Sequence, residues 1–78
     1  MYVTLDSQYK LAYIGLRPHA VGGVAESLPL ADFAEEAGAQ TLHDLVLDFD
    51  DKGRLVGIEV TNAKKVLPDA LLAEARRI

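Results

Sequence analysis

Two alternating stretches on either side of a short polar turn constrain the fold of this chain more than any other feature. Between positions 44 and 50 one parity is apolar and the other is mostly acidic: Leu45, Leu47 and Phe49 against Asp44, Val46, Asp48 and Asp50. A period of two residues is typical of a strand with one buried face, so the acidic side chains are expected to point outward. Residues 51–53 supply turn chemistry, and Gly53 is free to adopt a positive φ. Residues 54–61 alternate again, so the pattern predicts a β-hairpin that pairs residues 42–50 with 54–61.

The remaining segments predict more strands and a terminal helix. Residues 2–5 and 11–17 are rich in β-forming side chains, and residues 24–28 suit an edge strand that ends at Pro29. Both faces of 11–17 are largely apolar, which favours a central position in the sheet. A short helix is expected over residues 32–38, with Asp32 near its start and Gly38 at its end. Beyond Pro68, the apolar residues recur at helical spacing, which predicts a helix with one apolar stripe formed by Leu71, Leu72, Ala75 and Ile78.

These elements predict one domain over residues 1–78 in the α+β class. We expect an antiparallel sheet of about four to five strands with the C-terminal helix packed on one face. The chain has 78 residues and no cysteine, which excludes disulfides and cysteine-ligated metals. Small chains without such staples often gain stability by oligomerising. Since half of the residues are apolar, a homodimer is predicted.

The charge balance bears on partners and location. The chain has 8 basic and 12 acidic side chains and a formal net charge of −4, which argues against binding nucleic acid through its phosphates. The sequence leaves open the alternative of a local basic patch near the C-terminus, formed by Lys64, Lys65, Arg76 and Arg77. No apolar run approaches the ~20 residues that span a bilayer. Residues 1–4 lack the basic start of a signal peptide, so a cytoplasmic location without a membrane partner is expected.

The hairpin also carries candidate metal ligands, Asp48, Asp50 and Glu59. Counted from Asp48, they follow positions one, three and twelve of an EF-hand calcium loop, with Gly53 at position six. Lys52, however, occupies position five, where that loop needs an oxygen ligand. The flanks alternate like strands, whereas an EF-hand needs helices. A polar hairpin turn is therefore the favoured interpretation, and no cofactor is expected.

Two residues interrupt the otherwise apolar second strand of the hairpin. If Glu59 is covered, its carboxylate needs a partner, and Arg54 or Arg17 could serve. A structural ion pair is favoured over a catalytic role for Glu59. Gly57 is costly inside a strand and predicts either a bulge or the close approach of an aromatic ring such as Tyr13.

Histidines and tyrosines are the other chemistry-bearing side chains. His19 and His43 have neither the spacing of metal ligands nor a serine or cysteine signature beside them. No catalytic residue is assigned on these grounds, and an enzyme is not expected. Tyr2, Tyr9 and Tyr13 cluster near the first hairpin, where half-buried core residues are the favoured interpretation and a shallow ligand or partner surface is the alternative.

Two sequence motifs resemble a known family. Residues 6–14, Asp-Ser-Gln-Tyr-Lys-Leu-Ala-Tyr-Ile, resemble the aspartate turn and Ala-Leu-Tyr-Ile strand of the domain-of-unknown-function 2283 family of small bacterial proteins. Residues 48–60 resemble its acidic strand end, glycine turn and Gly-Ile-Glu strand. The resemblance covers residues 2–67, with 31–42 as an insertion, and departs from the family at Lys10, where an acidic residue is usual. It implies a compact α+β module without established catalytic residues, of a kind sometimes proposed as the antitoxin-like partner of a neighbouring toxin.

The sequence therefore predicts a non-enzymatic interaction module, antitoxin-like or regulatory in role. Its acidic surface suits a basic protein partner through electrostatic complementarity. The alternative is a small-molecule or metal-binding domain that uses the tyrosines or the hairpin between Asp48 and Glu59.

Overall fold

A computed structural model describes residues 1–6, 8, 10–17, 23–33 and 40–77 of the chain. These residues form six strands: β1 Tyr2–Leu5, β2 Leu11–Gly15, β3 Glu26–Pro29, β4 Leu45–Phe49, β5 Leu55–Thr61 and β6 Arg76–Arg77. The 3₁₀ turns Leu30–Phe33 and Gln40–Asp44 lie between β3 and β4. The short helices α1 Ala63–Val66 and α2 Asp69–Glu74 follow β5.

The strands form one sheet in the order β3-β4-β5-β2-β1-β6. The five strands from β3 to β1 pair antiparallel, and the two-residue β6 joins the outer edge of β1 in parallel. β2 lies between β1 and β5, as its two apolar faces predict. The predicted α+β class, the antiparallel sheet and the helical C-terminal region packed on it are confirmed.

The two helices cover one face of the sheet, and the hydrophobic core lies beneath them. Ala12 of β2 pairs with Leu5 on one side and with Val60 on the other, so the three side chains share a face. They pack with Ala63 of α1 and Leu72 of α2. The molecule measures 31 × 31 × 17 Å, and a sheet with one layer of short helices accounts for the thin dimension. Within the described ranges, no helix has the length and apolar character needed to cross a bilayer.

The hairpin of β4 and β5 is confirmed, with one irregularity in its pairing. The ladder is regular from Leu45 to Asp48, which pairs with Gly57. Phe49 then pairs with Leu55, so Val56 is an extra residue on β5, and the shift makes a β-bulge. The start of the predicted strand differs as well, because residues 42–44 belong to the second 3₁₀ turn.

The expectation that Asp48 points into solvent is wrong. Asp48 is only 2% exposed, whereas Asp44 and Asp50 are half-buried. The parity was read correctly, because Asp48 does lie on the face opposite the helices. Gly57, its partner on β5, has no side chain, and the space above Gly57 is filled by the ring of Tyr13. Asp48 is therefore covered by neighbours that are remote in sequence.

The C-terminal segment is a shorter helix than predicted. Leu72 is buried and Leu71 is half-buried, as the helical stripe requires, but α2 ends at Glu74. Arg76–Arg77 leave the helix and extend the sheet as β6, since β1 offers an unpaired edge there. Ile78 lies outside the described residues. The helix predicted over 32–38 also falls mostly outside them, and Asp32 itself lies in the first 3₁₀ turn.

Candidate binding site on the open face of the sheet

The sheet face opposite the helices, here called the open face, gathers polar and aromatic side chains from five strands. Thr4 pairs with Tyr13, which in turn pairs with Glu59, and Ser27 pairs with Asp48. Paired residues share a face, so the registers bring these side chains together. With Tyr2 and Val24 they line a shallow hollow of about 530 Å³. No helix within the described ranges packs on this side.

Two tyrosine rings of the open face lie directly over glycines. A Cβ added at Gly57 would overlap the ring and hydroxyl of Tyr13, and one added at Gly15 would overlap the ring of Tyr2. The predicted approach of Tyr13 to Gly57 is thus confirmed, and the nearby bulge is present too. The two ring centroids are 6.1 Å apart at an interplanar angle of 42°. Because each ring fits over bare backbone, both are held low against the sheet.

Beside Tyr13, two carboxyl groups lie next to each other in the lining of the hollow. Asp48 accepts a hydrogen bond of 2.7 Å from the Ser27 hydroxyl. Glu59 is its diagonal neighbour on β5, because Asp48 pairs with Gly57 and Glu59 pairs with Val46. The pair differs in exposure, since Asp48 is buried whereas Glu59 is open to solvent.

The pKa values of the site reflect this pairing. The hydrogen bond to Asp48 raises the pKa of Glu59 above its usual value, and partial burial and the negative charge of Asp48 add to the rise. Burial raises the pKa of Tyr13, with Asp48 and Tyr2 contributing in the same direction, while the charge of Arg17 opposes the shift. Glu59 therefore holds its proton to a higher pH than an isolated glutamate does.

The cations expected to pair with Glu59 do not do so in the described part of the chain. Arg54 Nε donates instead to Asp50 Oδ2 at 2.8 Å. Arg17 Nε is buried without a hydrogen-bond partner among the described residues. Glu59 is exposed, so the condition under which it would need Arg54 or Arg17 as a partner is not met.

The structure separates the three candidate metal ligands. Asp48 and Glu59 meet on the open face, but the Asp50 carboxylate is used by the hairpin turn. Its Oδ1 accepts the backbone N–H groups of Lys52 and Arg54, both at 2.9 Å. These bonds, with the Arg54 charge, lower the pKa of Asp50. Within the described ranges, no three histidine, cysteine or acidic side chains are grouped as a metal ion would require.

The turn itself has the conformation that the sequence predicts. Gly53 has a φ of 75°, a value that side chains other than glycine rarely adopt. Strands flank the turn on both sides, whereas a calcium-binding EF-hand has helices there. Of the remaining candidates, His43 is exposed in the second 3₁₀ turn, while His19 and Tyr9 lie outside the described residues.

Sequence reasoning missed the Asp48–Glu59 pair because it assigned the outer parity of β4 to solvent. One signal could have found it. In the hairpin register, Glu59 pairs with Val46 and Asp48 pairs with Gly57, so these positions lie on one face of the hairpin. Two carboxyls next to a glycine that admits an aromatic ring favour a covered acidic site over a solvated strand face.

The comparison with known protein families defines the class of this chain. The sequence profile of a family described as "Protein of unknown function (DUF2283)" matches residues 3–64. The match begins inside β1, directly after Tyr2, and ends in α1, so it includes the whole of β2, β3, β4 and β5. This chain belongs to that family, as its two motifs indicate. No curated protein and no solved structure matches the chain significantly.

Proposed function

We propose that this chain is a non-enzymatic interaction module that binds a basic protein partner through the open face. One observation carries the proposal: the Asp48–Glu59 pair lies beside two fixed tyrosine rings, on the face that no described helix covers. Such a surface has the chemistry of a docking site. It offers aromatic area for contact and acidic groups for orientation.

The tyrosines suit a protein interface in particular. Tyr2 and Tyr13 are only half-buried, and each ring is already placed by the glycine beneath it. Ordering a free side chain at an interface costs about 0.5–1.5 kcal/mol, so rings that are fixed in advance avoid part of that cost. Tyrosine also offers both apolar area and a hydrogen-bonding hydroxyl, which is why it is enriched at interfaces.

Electrostatics favour a basic partner. The net charge is −4, and no cation of the described residues is paired with Asp48 or Glu59. Complementary charge speeds association and excludes acidic competitors. A protein that cleaves nucleic acid has a basic substrate-binding surface, so an antitoxin-like role, in which this chain masks such a surface, is the specific form that we propose.

Co-purification from the native host tests this function. Tagged wild-type chain is compared with two charge-reversal variants. Glu59→Lys reverses a charge on the open face, and Glu74→Lys reverses the charge of an exposed side chain on α2. We expect a stoichiometric basic protein with the wild type and the Glu74 variant, and its loss with the Glu59 variant. Recovery of no stoichiometric partner, or equal recovery with all three chains, would contradict the proposal.

The alternative function, binding of a small molecule, is favoured by the hollow of about 530 Å³ on the same face. Four of its seven lining residues are aromatic or acidic, which suits a small cationic ligand better than an anion. Native mass spectrometry of gently purified protein separates the two functions. An excess of tens to hundreds of daltons indicates a small ligand, whereas an excess of several kilodaltons indicates a protein.

A further inference from the structure

The starting observation is that Asp48 is buried without a cation. Only 2% of its surface is exposed, and it accepts a hydrogen bond from the Ser27 hydroxyl. Buried carboxylates are ordinarily paired with a positive group, because an isolated charge in an apolar setting is costly. No cationic side chain among the described residues forms an ion pair with Asp48, so a cation from outside the chain can take that place.

We infer that the open face takes one lysine or arginine side chain of the proposed partner, held between the Tyr13 ring and the carboxyl groups of Asp48 and Glu59. This inference rests on the proposed function and names the contact that the partner makes. The incoming charge ion-pairs with both carboxylates, and the proton that Glu59 holds leaves to solvent. No bond other than this O–H bond is broken.

The tyrosine geometry supports a cation rather than a neutral group. The outer end of the Tyr13 ring lies over the backbone at Gly57, and the same side chain lines the hollow. A cation is attracted to an aromatic face within about 6 Å of the ring centroid. The Tyr2 ring lies 6.1 Å from the Tyr13 ring and widens the aromatic floor of the hollow. Guanidinium and ammonium groups on long apolar stems fit such a surface, because the stem packs on the rings.

Other occupants fit this site less well. A second copy of the chain placed face to face would bring a second Asp48–Glu59 pair against the first, and like charges repel. A bare metal ion would find only two carboxyl groups among the described side chains here, and calcium takes about six to eight oxygen ligands. A single cationic side chain needs only the two carboxyls and the ring.

Small cations provide a test that needs no partner protein. The full chain is titrated with n-butylguanidinium and n-butylammonium, and with uncharged n-butylurea as the matched control, while NMR signals of Tyr13 and Glu59 are followed. We expect saturable shifts with the cations and at least about fivefold weaker binding of the urea. Glu59→Gln and Tyr13→Leu should each weaken cation binding at least about fivefold, and Glu74→Gln should leave it unchanged.

Binding should also depend on pH, because a proton leaves as the cation enters. The groups that face Glu59 are Tyr2 from β1, Tyr13 from β2, Asp48 from β4 and the nearby Arg17, while β3 contributes the uncharged Ser27. Of these, Glu59 is the carboxyl whose pKa is raised by its neighbours. Cation affinity should rise by up to about tenfold per pH unit while Glu59 loses its proton, and then level off. This dependence should disappear in Glu59→Gln.

The outcomes separate this inference from the proposed function. If neither cation causes saturable shifts, or if butylurea binds equally well, the cation site is refuted even where a protein partner has been recovered. If the cations bind as expected but the lysate holds no stoichiometric partner, the proposed function fails while the cation site stands. Unchanged folding of each variant is checked by its circular dichroism spectrum.

Discussion

Replacing Gly57 with alanine tests the placement of the Tyr13 ring against the backbone of β5. In an ordinary strand interior this change is expected to stabilise, by about 0.5–1 kcal/mol, because glycine loses more conformational freedom on folding. The backbone at Gly57 has no positive φ that would exclude alanine. The added Cβ would, however, overlap the outer ring atoms of Tyr13. Overpacking of this kind costs about 1–3 kcal/mol, so the sign of the effect reports the ring position.

The assay is urea unfolding followed by circular dichroism, in two backgrounds. In the wild-type chain, Gly57→Ala should lower the free energy of unfolding by about 1–3 kcal/mol. In a Tyr13→Leu background, which lacks the ring atoms that the Cβ would meet, the same change should be neutral or stabilising. The double-mutant cycle should therefore give an interaction energy of about 1–4 kcal/mol. Gly23→Ala is the control, because nothing lies within 4 Å of a Cβ added there.

Two results would refute this reasoning. The first is stabilisation by Gly57→Ala in the wild-type chain, and the second is the same effect in both backgrounds. Either would mean that the Tyr13 ring does not rest on Gly57, and the open face would lose the fixed ring on which the cation site depends. The comparison holds only if the denaturant slope stays constant among the variants, since a changed slope signals a changed unfolded state.

Three further predictions concern pH, the turn and assembly. Because the pKa of Glu59 is raised on folding, the stabilisation that Glu59 provides is complete below about pH 4.5 and is lost as the pH rises through the folded-state pKa. Thermal melts should show this loss of stability in the wild type and not in Glu59→Gln. The pKa of Asp50 is lowered, so the stabilisation that Asp50 provides has the opposite pH dependence and is lost as the pH falls below about 3.8. At neutral pH, Asp50→Ala should lower the melting temperature more than Asp51→Ala, because Asp51 lacks the bonds to Lys52 and Arg54. Sedimentation equilibrium should give twice the chain mass of 8.5 kDa, as expected for the homodimer that we propose, and a single-chain mass would contradict it.

Local patterns account for much of the fold. The hairpin of β4 and β5 follows from a two-residue period and a glycine turn, both of which are properties of neighbouring residues. The central place of β2 follows from its two apolar faces. Even the approach of Tyr13 to Gly57 could be inferred, because a glycine inside a strand leaves a space that some side chain must fill.

The outer ends of the sheet depended on contacts that no local pattern contains. Arg76 and Arg77 have a composition that suits the end of a helix, and the sequence predicted them there. They form β6 because the edge of β1 lies within reach and offers unpaired backbone groups. The choice between a last helical turn and a short strand thus depended on where another strand lay in space.

The candidate site shows most clearly the difference between what a local sequence pattern determines and what contacts between distant segments determine. The sequence by itself determined that Asp48 and Glu59 share a parity on adjacent strands of one hairpin. Only the tertiary structure decided that Asp48 is buried, because Ser27, 21 residues from Asp48, donates to it from β3 and the Tyr13 ring lies over the neighbouring Gly57. Periodicity states which face a side chain takes, but what covers that face is decided by segments that are distant along the chain. Asp48 lies on the outer parity of the hairpin and is nevertheless buried in the complete sheet.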